Sequence, residues 1–130
     1  GSRLDAAAIA VSVISLLLVS ELLLINQIPD ADADRKVGRR HLVITLGKTA
    51  AARLVGLLLL GSYGILEAAI WIGWLPLWTA LAFAPLPAAI WISVKLPGAL
   101  NRPEQFNTLL GINVGVLLAT LALLICGLSL

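Results

Sequence analysis

This sequence of 130 residues has few charged residues, a small net charge and a single cysteine. Only 12% of the residues are charged and 60% are hydrophobic, whereas a soluble domain carries about 25% charged residues. This shortage argues against a soluble globular domain. A net charge of +2, without basic residues interleaved with aromatic ones, argues against nucleic-acid binding. The single cysteine, Cys126, allows no internal disulfide and no cysteine-based metal site, so a small buried apolar residue is expected there.

Four long apolar segments account for most of the chain. A helix that crosses roughly 30 Å of hydrocarbon needs about 20 mostly apolar residues. Lipid allows only helices or closed barrels to span it, and these segments are too long and too uniformly apolar for barrel strands. We predict an all-α polytopic membrane protein with transmembrane helices at about residues 4–25, 50–74, 77–96 and 106–130. Pro29 is expected to interrupt the first helix, and Pro85 and Pro87 to bend the third.

Lys and Arg are concentrated in the connection after the first helix, residues 26–49, and recur after the third helix. The turn between the second and third helices carries no charge and is flanked by Trp71, Trp74 and Trp78, as in an interfacial aromatic belt. Because cytoplasmic loops carry an excess of Lys and Arg, we expect both charged connections to face the cytoplasm. The protein is then an integral protein of an inner or cell membrane, with its C-terminus outside.

Residues 26–41, which we name the Asp-rich segment, contain three of the seven acidic residues and four of the nine basic ones. If a helix resumes at Pro29, Asp30 and Asp34 lie four residues apart on one face, and Asn26 reaches the same space. Two such carboxylates repel each other, so either one takes up a proton or a cation lies between them. Hard oxygen ligands favour Mg²⁺ bound together with substrate phosphates. Asp32, on the opposite face, is either a third ligand or a solvated side chain.

The basic residues that follow fit a phosphate-rich ligand. Metal and guanidinium groups together neutralise the charge that develops on a diphosphate as a carbon–oxygen bond breaks, and arginine grips phosphate bidentately. The alternative is that these residues act only as a topology signal. The residues concerned are Arg35, Lys36, Arg39 and Arg40.

The Asp-rich segment, with the Leu24-Ile25 before it and the Leu42-Val43 and Leu46-Gly47 after it, resembles the second aspartate-rich motif of the UbiA superfamily of intramembrane prenyltransferases. Its Asn-x-x-x-Asp opening and its Gly-basic-basic-x-Leu-Val continuation are most similar to the branch that acts on 1,4-dihydroxy-2-naphthoate. The family has nine transmembrane helices, with this motif at the cytoplasmic end of the sixth. The four helices predicted here then correspond to helices six to nine.

The resemblance implies Mg²⁺-dependent transfer of a prenyl chain from a prenyl diphosphate to an aromatic acceptor, as in menaquinone or ubiquinone biosynthesis. It implies Asp30 and Asp34 as catalytic metal ligands, with Asp32 as a further candidate and Asn26 beside them. The four basic residues named above become diphosphate or lid contacts, without individual assignments.

The family's first aspartate-rich motif has no counterpart here; the other early acid, Asp5, stands alone. We therefore expect residues 1–130 to be the C-terminal part of a prenyltransferase domain, inactive without an N-terminal half that carries the first motif. One alternative is a non-catalytic membrane scaffold that binds anionic lipid or metal. A second is a transporter fragment, which would place its carboxylates near the middle of the membrane.

Three further features of the apolar segments invite an interpretation. Glu67 lies within the second segment and is either functional or neutral and hydrogen-bonded to a neighbouring helix. Glu21 either lines the cavity below the metal site or reaches the membrane interface. Gly111 and Gly115 form a small-x-x-x-small pair, which predicts close helix packing.

Overall fold

The computed structural model describes residues 2–30, 36, 38 and 46–130, and all its regular elements are helical. Within these residues there are four α-helices and two 3₁₀ helices. In chain order these are α1 (Ser2–Gln27), α2 (Lys48–Trp71), the 3₁₀ helix η1 (Leu77–Phe83), α3 (Leu86–Lys95), the 3₁₀ helix η2 (Leu96–Ala99) and α4 (Pro103–Ser129).

Within these ranges, α1, α2 and α4 are each long and apolar enough to cross a membrane. The third predicted segment is not a single straight helix. It consists of η1 followed by α3 and η2, and the two parts are bent by 40°. The described residues therefore contain three candidate spanning helices, or four if the bent pair is one span. The prediction of membrane-spanning helices is confirmed, and the number four holds only if the bent pair crosses the bilayer.

The bend has the cause that the sequence predicts. Pro85 caps the N-terminus of α3 and Pro87 lies in its first turn, where a missing backbone N–H costs nothing. Neither proline can continue a helix from η1, because each lacks an N–H and its ring clashes with the preceding turn. The 3₁₀ geometry of η1 on the upstream side was not predicted.

Local turn chemistry explains the other boundary differences. α2 ends at Trp71, and not at Trp74, because Gly73 adopts a positive φ of 84°. The N–H of Gly73 donates to the carbonyl of Ile70, and the N–H of Trp74 donates to that of Ala69. These two bonds are the Schellman pattern that terminates helices at glycine. At the other end of the chain, Pro103 starts α4 three residues earlier than predicted, since proline suits the first turn.

The helices bury one face each and leave apolar side chains on the other. The core contains Leu18 and Ile25 of α1, Leu59 of α2, Ile92 of α3 and Leu109 of α4. Outward-facing residues are equally apolar and include Leu16, Leu57, Leu118 and Ile125. Only 33–39% of the most apolar window in each spanning helix is buried. Such a surface suits lipid, which is as apolar as the side chains themselves. Cys126 is exposed on α4, so its expected burial is wrong.

Among the described glycines, Gly127 has the most crowded surroundings. A Cβ atom there would lie 2.6 Å from the Thr79 Cα and 2.6 Å from the Trp78 carbonyl oxygen of η1. At Gly111 and Gly115 a Cβ would meet nothing within 4 Å. The prediction that this pair packs against another helix is therefore wrong within the described part of the chain. Glycine is needed instead where the 3₁₀ backbone of η1 crosses α4.

We expect Gly127→Ala to lower the free energy of unfolding by about 1–3 kcal/mol, because the new methyl group forces η1 away from α4. The matched change Gly115→Ala, in the same helix, meets no neighbouring atom and should leave the free energy of unfolding unchanged or raise it by up to about 1 kcal/mol, because alanine favours helix over glycine. Thermal or denaturant unfolding in detergent micelles measures both. Equal effects of the two substitutions would contradict the close packing of η1 on α4.

Candidate functional site

The ends of α1, α2 and α4 that adjoin the charged connections lie together. Ile28 and Pro29 after α1, Lys48 at the start of α2, and Phe106 in the first turns of α4 line one cavity. At the opposite end, Ile9 of α1 meets Ile72 and Trp74 beyond α2. The described ends of the two charged connections are therefore on one side of the helices and the tryptophan-rich turn is on the other, as the sequence predicts.

The start of the Asp-rich segment is fixed by the end of α1. The helix stops at Gln27, two residues before Pro29, which disfavours helix at the residue before it. Asn26 lies in the last helical turn and is exposed, as is Asp30 in the turn that follows. Lys36 is exposed too. Asn26 at the end of α1 and Asp30 just beyond it are thus both exposed on the side of the charged connection.

The other predicted site residues lie outside the described residues. These are Asp32, Asp34, Arg35, Arg39 and Arg40. Residues 2–30, 36, 38 and 46–130 contain no group of three His, Cys, Asp or Glu side chains that would hold a metal ion. Asp30 is described but Asp34 is not, so the prediction of their joint metal site stays a prediction.

The described donors nevertheless suit a hard cation. Asn26 offers an amide oxygen and Asp30 a carboxylate, both accessible at the edge of the apolar region. Mg²⁺ prefers oxygen ligands, and it keeps several waters when only one or two carboxylates bind it. A site at a helix end that water reaches avoids the cost of placing carboxylates in hydrocarbon.

A cavity of about 250 Å³ adjoins this end of α1. Its walls combine apolar surface with a lysine and an amide, and sequence analysis did not identify them as site residues. They are Ile28, Pro29, Lys48, Leu100, Pro103, Phe106 and Asn107. The one sequence signal for this cavity is that most of its lining residues lie close to a proline at a predicted helix end.

The two intramembrane acids take opposite positions. Glu21 is completely buried, so it does not reach the membrane interface, and it lies on the face of α1 with Leu18 and Ile25. Glu67 is exposed on α2, one turn before Trp71, and no neighbouring helix in the described part of the chain covers it. Of the two, Glu21 is the one that the fold encloses.

A polar contact between α2 and α4 lies near Glu21. The Tyr63 and Thr120 hydroxyl oxygens are 2.7 Å apart, and the Thr120 hydroxyl donates to the Val116 carbonyl at 2.7 Å. A threonine hydroxyl has one proton, so Tyr63 donates to Thr120. Both residues are buried. Sequence analysis missed this pair, although Tyr63 is the only tyrosine in the chain.

We expect Tyr63→Phe to lower the free energy of unfolding by about 0.6–1.7 kcal/mol, the range for hydrogen bonds between membrane helices. In a Thr120→Val background the same change should have little effect, since the Tyr63 hydroxyl no longer has its acceptor. A double-mutant cycle in micelles or bicelles measures the difference. An equal loss in both backgrounds would contradict the assigned bond.

Comparison with known proteins identifies the family of this chain. A model of the UbiA prenyltransferase family matches residues 1–114. No curated protein and no solved structure matches the chain. The matched range contains the whole Asp-rich segment, every element from α1 to η2 and the first part of α4. Because the match covers most of the sequence, the chain belongs to the UbiA prenyltransferase family.

Proposed function

We propose that this chain supplies the diphosphate-binding side of an intramembrane prenyltransferase active site. Family membership indicates a prenyl diphosphate and an aromatic acceptor as substrates in a membrane. The observation that carries the proposal is the exposure of Asn26 and Asp30 at the charged end of α1. In this proposal these oxygen ligands lie at the bilayer edge, where a diphosphate headgroup lies when its prenyl chain is in lipid.

Each part of the Asp-rich segment has a task in this proposal. Asp30 and Asp34 bind Mg²⁺, Asp32 is a further ligand, and the Asn26 amide orients them. A bound Mg²⁺ supplies charge neutralisation for the diphosphate. The basic side chains hold the remaining phosphate charge and are Arg35, Lys36, Arg39 and Arg40. As the bond from the prenyl C1 to the diphosphate oxygen breaks, its electron pair leaves with the diphosphate. The acceptor ring carbon bonds to C1, and the proton that it loses passes to water.

The acceptor site that we propose is the cavity beside Pro29. Its volume of about 250 Å³ is smaller than the roughly 300–1,000 Å³ of most ligand pockets. A cavity of this size suits a compact planar ring. The buried Phe106 and Ile28 offer apolar contact for that ring. Lys48 and Asn107 give the cavity polar groups for ring substituents. The sequence likeness of the Asp-rich segment favours a 1,4-dihydroxy-2-naphthoate-type acceptor, in quinone biosynthesis.

Catalysis in this proposal requires the first aspartate-rich motif of the family, supplied from outside these 130 residues. The face of α1 that carries Leu16, Val19, Leu23 and Asn26 is exposed along its length. Such a face can border a cavity whose other wall carries the first motif. We propose that the chain alone is inactive and that an N-terminal half completes the site.

We expect Asp30→Asn to weaken Mg²⁺-dependent binding of a prenyl diphosphate at least roughly tenfold, since even outer-shell partners of a metal contribute about that much. Binding is measured by calorimetry in nanodiscs, with the chain assembled with the part that carries the first motif. Glu104→Gln is the matched control, because Glu104 is an exposed acid in the first turn of α4 at the same end.

Two results would overturn the proposal. One is an equal loss of binding in Asp30→Asn and Glu104→Gln, which would reduce Asp30 to a general surface charge. The other is binding of anionic-lipid vesicles by the chain alone, independent of Mg²⁺ and of Asp30, with no prenyl diphosphate binding in the assembly. That second result would identify a non-catalytic membrane scaffold.

The proposed cytoplasmic position of the site has its own test. In a Cys126→Ala background, Glu104→Cys marks the charged end and Trp74→Cys the opposite end; both residues are exposed. A membrane-impermeant maleimide should label Trp74→Cys in intact spheroplasts and Glu104→Cys in inverted vesicles, because Lys and Arg are retained on the cytoplasmic side. The reverse pattern would place the site outside.

A further inference from the structure

We propose that Glu21 and Asn113 form a neutral carboxylic acid–carboxamide pair that sets the rotation of α1, and with it the direction of Asn26. The role of Asn26 rests on the proposed function; the pair itself does not. Glu21 is thus a positioning residue, which acts through the helix that carries the site.

Four buried polar side-chain atoms in the described part of the chain lack a hydrogen-bond partner. They are the two carboxyl oxygens of Glu21 and the amide oxygen and nitrogen of Asn113. Both residues are 0% exposed. The Asn113 amide is close enough to interact with the Glu21 carboxyl group. Buried polar groups are hydrogen-bonded in the great majority of cases. All four exceptions therefore fall at one contact between α1 and α4.

Only the neutral form of Glu21 satisfies all four atoms. An ionised carboxylate accepts but does not donate, so it would leave the Asn113 amide oxygen without a donor. A neutral carboxyl donates its O–H to that oxygen and accepts an N–H from the same amide. The terminal torsions of both side chains have broad energy wells, so the two groups can turn to face each other without moving the helices.

Within the described ranges, no cationic side chain is buried beside Glu21 to hold a negative charge. The buried polar residues of the described ranges are Glu21, Ser62, Thr79, Asn113 and Thr120, and no basic side chain is among them. The titratable group facing Glu21 from α2 is Tyr63, and its proton is already donated to Thr120. A carboxylate in an apolar interior without a cationic partner takes up a proton instead.

This pair matters for the site because apolar packing does not fix the rotation of a helix in lipid. Exchanging a leucine–leucine contact for a leucine–lipid contact changes little, so polar contacts and shape set which face turns inward. Glu21 and Asn26 are five residues apart, which places them about 140° apart around α1. Holding Glu21 inward on Asn113 therefore directs Asn26 outward, as its exposure shows.

The first measurement is the ionisation state of Glu21 in this chain alone. The sequence contains three glutamates, Glu21, Glu67 and Glu104, so carboxyl-¹³C glutamate gives three signals, and Glu21→Gln assigns the one of interest. We expect the Glu21 signal to report a neutral acid at neutral pH and to shift in Asn113→Leu, while the exposed Glu67 and Glu104 signals stay unchanged. An ionised Glu21, or a signal indifferent to Asn113→Leu, would overturn the pair.

The second measurement is Mg²⁺-dependent prenyl diphosphate binding by the chain assembled with its N-terminal half. Glu21→Gln keeps the donor and acceptor and should bind within about twofold of the natural protein. Glu21→Leu and Asn113→Leu should bind roughly tenfold to a hundredfold more weakly, the range for a displacement of about 1 Å at a site. Glu67→Leu removes an exposed acid and should have no effect.

The two measurements separate the possible failures. Equal binding by Glu21→Gln and Glu21→Leu would overturn the positioning role, whatever their stability. If the natural assembly does not bind prenyl diphosphate at all, the proposed function fails, and the carboxyl signal still decides whether the pair exists. Asn113→Leu tests the pair from the other helix should Glu21→Leu fail to fold.

Discussion

The bilayer imposes the constraint on which the rest of this structure depends. Every backbone polar group in hydrocarbon must find its partner within the chain, and this requirement makes the apolar segments helical. Lipid also removes the usual driving force that sorts side chains, because apolar residues are as stable outside the bundle as inside it. Leu16 and Leu18 differ in burial although their chemistry is the same. The arrangement of the helices must therefore come from turns, close backbone contacts and polar groups.

The structure contains turns, close backbone contacts and polar contacts of this kind. Gly73 and Pro85 end or bend helices through backbone conformation alone. Gly127 lets the backbone of η1 approach α4 to a distance that no side chain would permit. The Tyr63–Thr120 hydrogen bond joins α2 to α4, and in our proposal Glu21 joins α1 to Asn113. The candidate site needs this support because Asn26 and Asp30 are exposed at or just beyond the end of a single helix.

The sequence predicted the fold class well and the polar interior poorly. Segment lengths and hydropathy located the spanning helices to within a few residues, because lipid forces long apolar runs to be helical. The third segment was only partly predicted: its prolines indicated a bend, but nothing local indicated the 3₁₀ form of η1. The expected packing at Gly111 and Gly115 was wrong, since a spacing motif does not specify which face of a helix meets a neighbour. The cavity beside Pro29 was missed because Lys48, Leu100 and Phe106 are distant in sequence.

The sequence by itself determined that this is a helical membrane protein with a charged, aspartate-rich segment, and it carried the likeness to the UbiA family. These properties reside in composition, run length and a continuous motif, which need no knowledge of contacts. Only the tertiary structure decided that Glu21 turns inward and Glu67 outward, and that Asn26 and Asp30 emerge beside a cavity formed by three helices. An acid in an apolar helix looks the same in sequence whichever way it points. The direction depends on helix rotation, which neighbouring helices set.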